Sequence, residues 1–282
     1  MRRSSGRAAV KCRDALTSPD IASPTGDPLT RDEIVVHYQP IVRLVDRRVV
    51  GFEALARWER STGSLVGAQD FVPALIDAGR GVDLAERVMD EAAAALAVWR
   101  RTAPGDDGFV AVNVAAADLG RDGLPALIER VVSKHALPAG ALMVEVGEDR
   151  IAVSGAEATA ATAAMRAAGA SLAADDYGTG YADAARLSEL CFDVIKTDRH
   201  LAGSYMISAA ARETVERVVA LARADDIVVI AEGIEDEETA SAVSELGCAL
   251  GQGYLFGDPQ PLTGAAVDGL AALAAMHHRG TY

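Results

Sequence analysis

Seven short apolar runs in this chain end in a side chain that can coordinate, donate or carry charge. VVGFE ends at Glu53, FVAVN at Asn113, LMVE at Glu145, SLAADD at Asp175 and Asp176, VVIAE at Glu232 and ALGQ at Gln252, while FDVIK ends in a cation, Lys196. A strand buried on both faces is expected to be apolar throughout, so a charge at its last position is costly unless it faces a shared polar site. Many strands with this habit point to one site at one end of one sheet. Clustered carboxylates with an amide repel one another, and a hard divalent cation such as Mg²⁺ or Mn²⁺ relieves that repulsion through oxygen ligands.

The densest motif is DDYGTGYAD, from Asp175 to Asp183. Adjacent carboxylates on an extended chain point to opposite sides, so both reach one site only where the backbone turns, which Gly178 and Gly180 permit. Asp175 and Asp176 could then ligate or bridge two ions, the arrangement used for in-line attack on a phosphodiester. Glu53 and Arg57 are four apart on one strand and share a face, an acid for a metal and a fork for a phosphate oxygen. Asn113 offers a neutral ligand. Glu145 is placed to bind metal, and Glu148, three residues on, to hold a neighbouring loop. Lys196, with Asp198 two residues on, could position or deprotonate a water, its pKa lowered by nearby cations and partial burial. Glu232, Glu235 and Gln252 complete the ring. Taken singly, each residue also has a plainer account: an Asx turn at Asp175 and Asp176, a salt bridge at Glu53 and Arg57, a buried amide at Asn113, an ion pair at Lys196.

The elements that must position these residues alternate in type. The pattern predicts strands near 34–42, 49–57, 109–115, 142–147, 171–176, 192–197, 227–233 and 249–256, and helices near 68–79, 82–101, 117–136, 154–169, 181–190, 208–226, 236–246 and 262–278. Only RLVDRR separates the first two strands, too short for a parallel crossover, so they should form an antiparallel hairpin. The expected fold is therefore a (β/α)₈, TIM-like barrel with the first strand antiparallel, its active site at the carboxyl ends of the parallel strands. Residues 1–28 read as a basic, Pro- and Ser-containing tail and 29–282 as the barrel domain.

Composition narrows the partners. Net charge is −14, although Arg2, Arg3, Arg7, Lys11 and Arg13 open the chain, leaving 22 bases against 41 acids in the remainder. Such a body does not attract a nucleic-acid polymer or an anionic membrane through a general field. No run approaches a membrane-spanning length and the start lacks the apolar core of a secretory signal. Cys12, Cys191 and Cys248, odd in number and widely spaced, suit a reducing cytoplasm. His37, His135 and His200 stand apart, His277 and His278 read as a helix end, and Glu86, Arg87, Asp90 and Glu91 as a solvated helix face.

Taken in order, YQPIV (38–42), EALARW (53–58), VNVA (112–115), EVGE (145–148), DDYGTGY (175–181), IKTD (195–198), AEGIE (231–235) and GQGYLF (251–256) resemble the motifs of the EAL-domain cyclic di-GMP phosphodiesterases. The resemblance spans about Leu29 to Leu262. It implies a reversed-strand barrel that opens one phosphodiester of cyclic di-GMP to linear pGpG with two Mg²⁺ or Mn²⁺ ions. By motif match, Glu53, Asn113, Glu145 and Asp175 would hold the first metal, Asp175 with Asp176 the second, and Glu232 and Gln252 would contact it or its waters. Lys196, Glu232 and Glu53 would be catalytic, Arg57, Gln39, Leu55 and Gln252 would meet substrate, and Glu148, Gly178 and Gly180 would support the loop. The resemblance also implies a homodimer. The chain would be a stand-alone member with no GGDEF partner domain. Gly147 replaces a usual Thr, Ala115 a usual Ser, Thr197 a larger aliphatic and Ile76 a frequent acid, and none of these removes an implied ligand. The competing class is a non-catalytic cyclic di-GMP receptor or partner-binding module, which typically lacks several of these acids; a metal-dependent barrel acting on another phosphodiester is a third. Ca²⁺ should bind yet inhibit, because its longer, looser coordination misplaces the water.

Overall fold

The structure, a computed structural model, describes residues 33–60, 63–102, 108–114, 123–148, 156–178, 187 and 189–262. The expected tail, Gly180, most of the 181–190 helix, the 262–278 helix beyond Leu262, Ala115, His277 and His278 lie outside the described residues. The strands are β1 Ile34–Arg43, β2 Val49–Glu59, β3 Leu65–Gly67, β4 Phe109–Asn113, β5 Leu142–Gly147, β6 Ala170–Tyr177, β7 Val194–Thr197, β8 Val228–Ala231, β9 Leu250–Gln252 and β10 Gln260–Pro261. The helices are α1 Ala68–Asp77, α2 Gly81–Thr102, α3 Gly123–Lys134, α4 Ala156–Ala167, α5 Arg199–Ser204, α6 Ala209–Ala224 and α7 Glu237–Leu246.

Eight strands close into a barrel in the order β1-β2-β4-β5-β6-β7-β8-β9, with β9 returning to β1. All neighbours from β2 to β9 run parallel, while β1 is antiparallel to both β2 and β9. The fold is thus the TIM-like barrel with its first strand reversed. β3 and β10 are antiparallel additions to β2 and β1. Neither is legible in the sequence, because two or three residues are too few to show alternation. β9 is shorter than the expected 249–256: Gly253 has φ +157°, and a Cβ there would run into the backbone of Ile234, so the chain breaks from the ladder directly after Gln252. The short helix α5 is also unexpected. It starts because Asp198 caps it, accepting from the His200 N–H at 2.8 Å.

The barrel interior is layered by the two-residue period of the strands. Ile41, Ala111, Met143, Ala173, Val194 and Ile230 form an apolar floor, packed by Phe109 and Leu250. Two residues onward on the parallel strands stand Asn113, Glu145, Asp175, Lys196, Glu232 and Gln252. On reversed β1 the corresponding residue is Gln39, two before Ile41. β2 supplies Gly51 below Glu53, and a Cβ at Gly51 would stand 2.7 Å from the Phe109 ring, so the absence of a side chain there makes room for the floor.

The outer strand faces pack on the helices. On α2, Ala85, Val88, Met89, Ala92, Leu96 and Trp99 recur every three or four residues and are buried, the stripe an amphipathic helix presents to a sheet. Trp99 meets Phe52, the neighbour of Glu53, edge to face at 5.0 Å and 79°. The polar face of α2 carries ion pairs at the surface: Glu86 pairs with Arg130 at 2.8 Å, Asp90 with Lys134 at 2.7 Å and His135 at 2.8 Å, and Arg87 donates to the Ile34 carbonyl. Trp99→Ala should cost about 3–5 kcal/mol by the loss of this buried ring, read as a lowered urea midpoint; an unchanged midpoint would show that the α2 contact does not hold the barrel wall.

Candidate metal centre at the barrel mouth

Because six strand ends deliver polar side chains inward at one level, the mouth concentrates charge. The Lys196 ammonium, 1% exposed, lies 2.6 Å from Glu232 Oε1, 2.7 Å from Glu145 Oε1, 3.2 Å from Asp175 Oδ1 and 3.5 Å from Glu53 Oε2. Glu53 is further held by Asn113, whose Nδ2 donates to Oε1 at 2.7 Å, and by Gln252, whose Nε2 donates to Oε2 at 2.6 Å. The same Gln252 amide donates to Gln39 Oε1 at 3.0 Å, and Gln39 in turn to the Gly257 carbonyl at 3.1 Å. The structure therefore brings Glu53, Asn113, Glu145, Asp175, Lys196, Glu232, Gln252 and Gln39 into one contact network.

One ammonium cannot balance four carboxylates, and the proton affinities show the excess. Burial, then the Glu53 charge, raises Glu145 well above the usual carboxylate range. Burial pushes Glu232 up to about 8. Burial acts to raise Glu53 as well, but Lys196, Gln252 and Asn113 outweigh it and hold it below its usual value. For Lys196 burial acts downward, yet the surrounding carboxylates, Asp175 foremost, raise it well above an ordinary lysine. This corrects, for the protein alone, the expectation that Lys196 is depressed: four anions within 3.5 Å prevail over desolvation.

Five buried oxygens in this network lack a hydrogen-bond donor: both of Glu145, Asp175 Oδ1, Glu232 Oε1 and Gln252 Oε1. Three of them touch the ammonium at ion-pair distance only, leaving Glu145 Oε2 and Gln252 Oε1 without that contact. Undonated buried carboxyl and amide oxygens in excess negative charge suit a hard divalent cation. Oxygens of Asp175, Asp176 and Glu232 also lie within 4.8 Å of one another, a second group able to hold an ion. The residues present fit a divalent-cation site.

The turn that lets neighbouring aspartates share the site comes earlier than the glycines suggest. Asp176 itself adopts φ +54°, and the β6–β7 register slips between Ala174 and Tyr177. That bulge re-aims the chain within the pair of acids. Asp176 is exposed by surface area, yet the surrounding protein desolvates it in part, and that together with the Asp175 charge raises its pKa. Gly178 follows at φ +110°, where a Cβ would meet Leu201 and Thr214, and its N–H donates to Glu148 Oε2 at 3.1 Å. Glu148, 2% exposed, thus holds the start of the loop.

Other expected residues stand at the rim. Arg57 and Leu55 are half-buried on β2, beyond Glu53; Arg57 donates to the Ala56 carbonyl at 2.9 Å, and Leu55 pairs in register with His37. Glu235, placed in the ring by its motif, is exposed, while its neighbour Ile234 is fully buried. Two contributors escape sequence reasoning. Thr197 accepts from the Glu232 N–H, and Gly253 turns the chain behind Gln252. The one signal for Gly253 is the pair of glycines bracketing a buried amide in GQG. A cleft of about 680 Å³ opens elsewhere, on the flank between α2 and α3, where the facing charges are matched in pairs.

With this geometry in view, the comparisons with known proteins agree. The EAL domain family model matches residues 26–259, and this chain belongs to that family. It is 34% identical over 235 residues to the cyclic di-GMP phosphodiesterase NbdA of Pseudomonas aeruginosa, covering 83% of this chain and 30% of NbdA. It is 30% identical over 233 residues to the bifunctional diguanylate cyclase/cyclic di-GMP phosphodiesterase MucR of the same organism, covering 83% of this chain and 34% of MucR. The chain thus spans about a third of the length of these curated relatives. A solved structure of the PaMucR phosphodiesterase in complex with c-di-GMP superposes with a TM-score of 0.78 at 30% identity, over 83% of this chain and 95% of that one. Among the described residues, no helix is long and apolar enough to cross a membrane.

Glu148→Ala should lower stability by about 1–3 kcal/mol, because the Gly178 N–H loses its acceptor, whereas Glu148→Gln, which retains an acceptor oxygen, should lose much less. Paired urea titrations measure the difference; equal losses in both variants would show that the contact is incidental.

Proposed function

We propose that the chain is a cyclic di-GMP phosphodiesterase that hydrolyses its substrate to linear pGpG at the barrel mouth, dependent on Mg²⁺ or Mn²⁺. The observation that carries this reading is the buried, donor-poor oxygen set around Glu145, Asp175 and Glu232, present on a chain whose relatives NbdA and MucR bear that activity in their names. Glu53, Asn113, Glu145 and Asp175 would hold one ion, Asp175 and Asp176 the other, with Glu232 and Gln252 beside them. Bound there, the ions would supply Lewis-acid stabilisation of the phosphoryl oxygens and an acidified water.

The chain's own residues do the rest. Lys196, charged and buried, orients the attacking water by donating to it. Arg57 forks to a phosphate oxygen from the rim, and Gln39 and Leu55 border the substrate on the β1–β2 side. The water oxygen bonds to phosphorus as the bond to one ester oxygen breaks; of the water's two protons, one ends on that leaving oxygen and the other stays on the new terminal phosphate until solvent takes it, and the ring opens. Glu148 and Gly178, with Gly180, keep the DDYGTGY segment in place. The functional unit would be the 29–282 barrel with residues 1–28 as a separate tail, working as a cytoplasmic homodimer without nucleic-acid polymer or membrane contact.

Purified protein incubated with cyclic di-GMP and Mg²⁺ or Mn²⁺ should yield pGpG on chromatography; stoichiometric binding without product would replace this reading with a non-catalytic receptor. Glu53→Ala should lose turnover by ~10³-fold or more, since a two-metal site acts as a unit, and near-normal activity in that variant would show the constellation to be wrong. Ca²⁺ should bind without supporting turnover and should inhibit in competition with Mn²⁺; activation by Ca²⁺ would contradict the coordination argument.

A further inference from the structure

The ladder between β7 and β8 pairs Lys196 with Ile230 and ends there. Two residues on, the Glu232 N–H donates instead to Thr197 Oγ1 at 3.3 Å. Thr197 is 0% exposed and lies on the opposite face of β7 from Lys196, so its hydroxyl is not part of the mouth itself. Lys196 meanwhile contacts the carboxylate of the same glutamate at 2.6 Å. Two consecutive residues of β7 therefore grip Glu232, one by its side chain and one by its main chain. Gly233 adds a third restraint: at φ +72° it packs so closely on the Arg199 backbone that no side chain fits, which leaves the Glu232–Gly233 turn little freedom.

We propose that Thr197 is a positioning residue, whose buried hydroxyl fixes the Glu232 main chain and so aims the Glu232 carboxylate at Asp175 and Asp176. An aliphatic residue at this position would offer the Glu232 N–H no acceptor. Valine matches threonine in shape but leaves the N–H without its partner. Serine keeps the oxygen and loses only a methyl.

The test uses Thr197→Val and Thr197→Ser in the full chain, reading Mn²⁺ affinity by calorimetry and, separately, kcat and KM for cyclic di-GMP. Thr197→Val should bind Mn²⁺ ~10-fold more weakly and turn over ~10-fold more slowly with KM within about twofold, a typical effect of losing a group that orients a metal ligand. Thr197→Ser should restore both. Wild-type Mn²⁺ affinity in Thr197→Val, or a serine variant as impaired as the valine one, would overturn the proposal, the latter by assigning the effect to methyl packing. If the valine chain does not fold, Thr197→Ala against Thr197→Ser carries the same comparison. The turnover arm rests on the phosphodiesterase reading; a wild-type protein that binds Mn²⁺ but makes no pGpG sinks that reading alone, and the Mn²⁺ arm still decides the role of Thr197.

Discussion

A buried ammonium surrounded by four carboxylates sets the conditions for everything around it. Lys196 is 1% exposed, and desolvation of a lone ammonium would be prohibitive; the acids at 2.6–3.5 Å make it tenable. The converse also holds. Without a cation at that point, Glu145 and Glu232 would face Asp175 and Glu53 across a low-dielectric mouth. One positive charge stabilises the cluster without neutralising it, and the raised proton affinities of Glu145 and Glu232 express the remainder. A site in that condition favours further positive charge, and its undonated oxygens give that charge ligands of the right hardness.

The barrel is what allows so many charges to converge. Parallel strands end on the same side, and a period of two puts an apolar residue directly below each polar one. The floor of Ile41, Ala111, Met143, Ala173, Val194 and Ile230 seals the interior from below, so the polar layer is solvated only from above. Further contacts then fix individual residues: Glu148 accepts from the Gly178 N–H, Thr197 accepts from the Glu232 N–H, and the Gln252 side-chain amide donates to both Gln39 and Glu53. Each lies just outside the charged ring. Their common effect is to restrict the segments that carry the acids.

Much of this is legible in the chain because strand alternation is short-range. The strand-terminal residues mark out the ring by their positions in the sequence alone, and the six-residue RLVDRR linker requires the reversed hairpin that β1 and β2 form. What is not legible depends on tertiary contact. The φ of Asp176 is set by a register slip against β7, not by the glycines after it. Asp198 shares a face with Lys196 by its spacing, and the cap it forms on α5 shows only in the folded chain. Glu235 shares a motif with Glu232, but the chain has already left the mouth when it reaches that residue, and Ile234 takes the inward position. The direction of the Lys196 shift runs against the sequence-based expectation because the count of acids touching it cannot be read from spacing.

The carboxylate ring around Lys196 has the residues for a divalent-metal site, and the place where manganese binds decides whether it is one. The most direct measurement is anomalous diffraction at the manganese edge from crystals of the protein grown with Mn²⁺ and cyclic di-GMP. A manganese peak is expected among the carboxyl oxygens of Glu53, Glu145 and Asp175, and a second beside Asp176. A map with no peak at the strand ends, or with manganese only at other acidic patches, would contradict it.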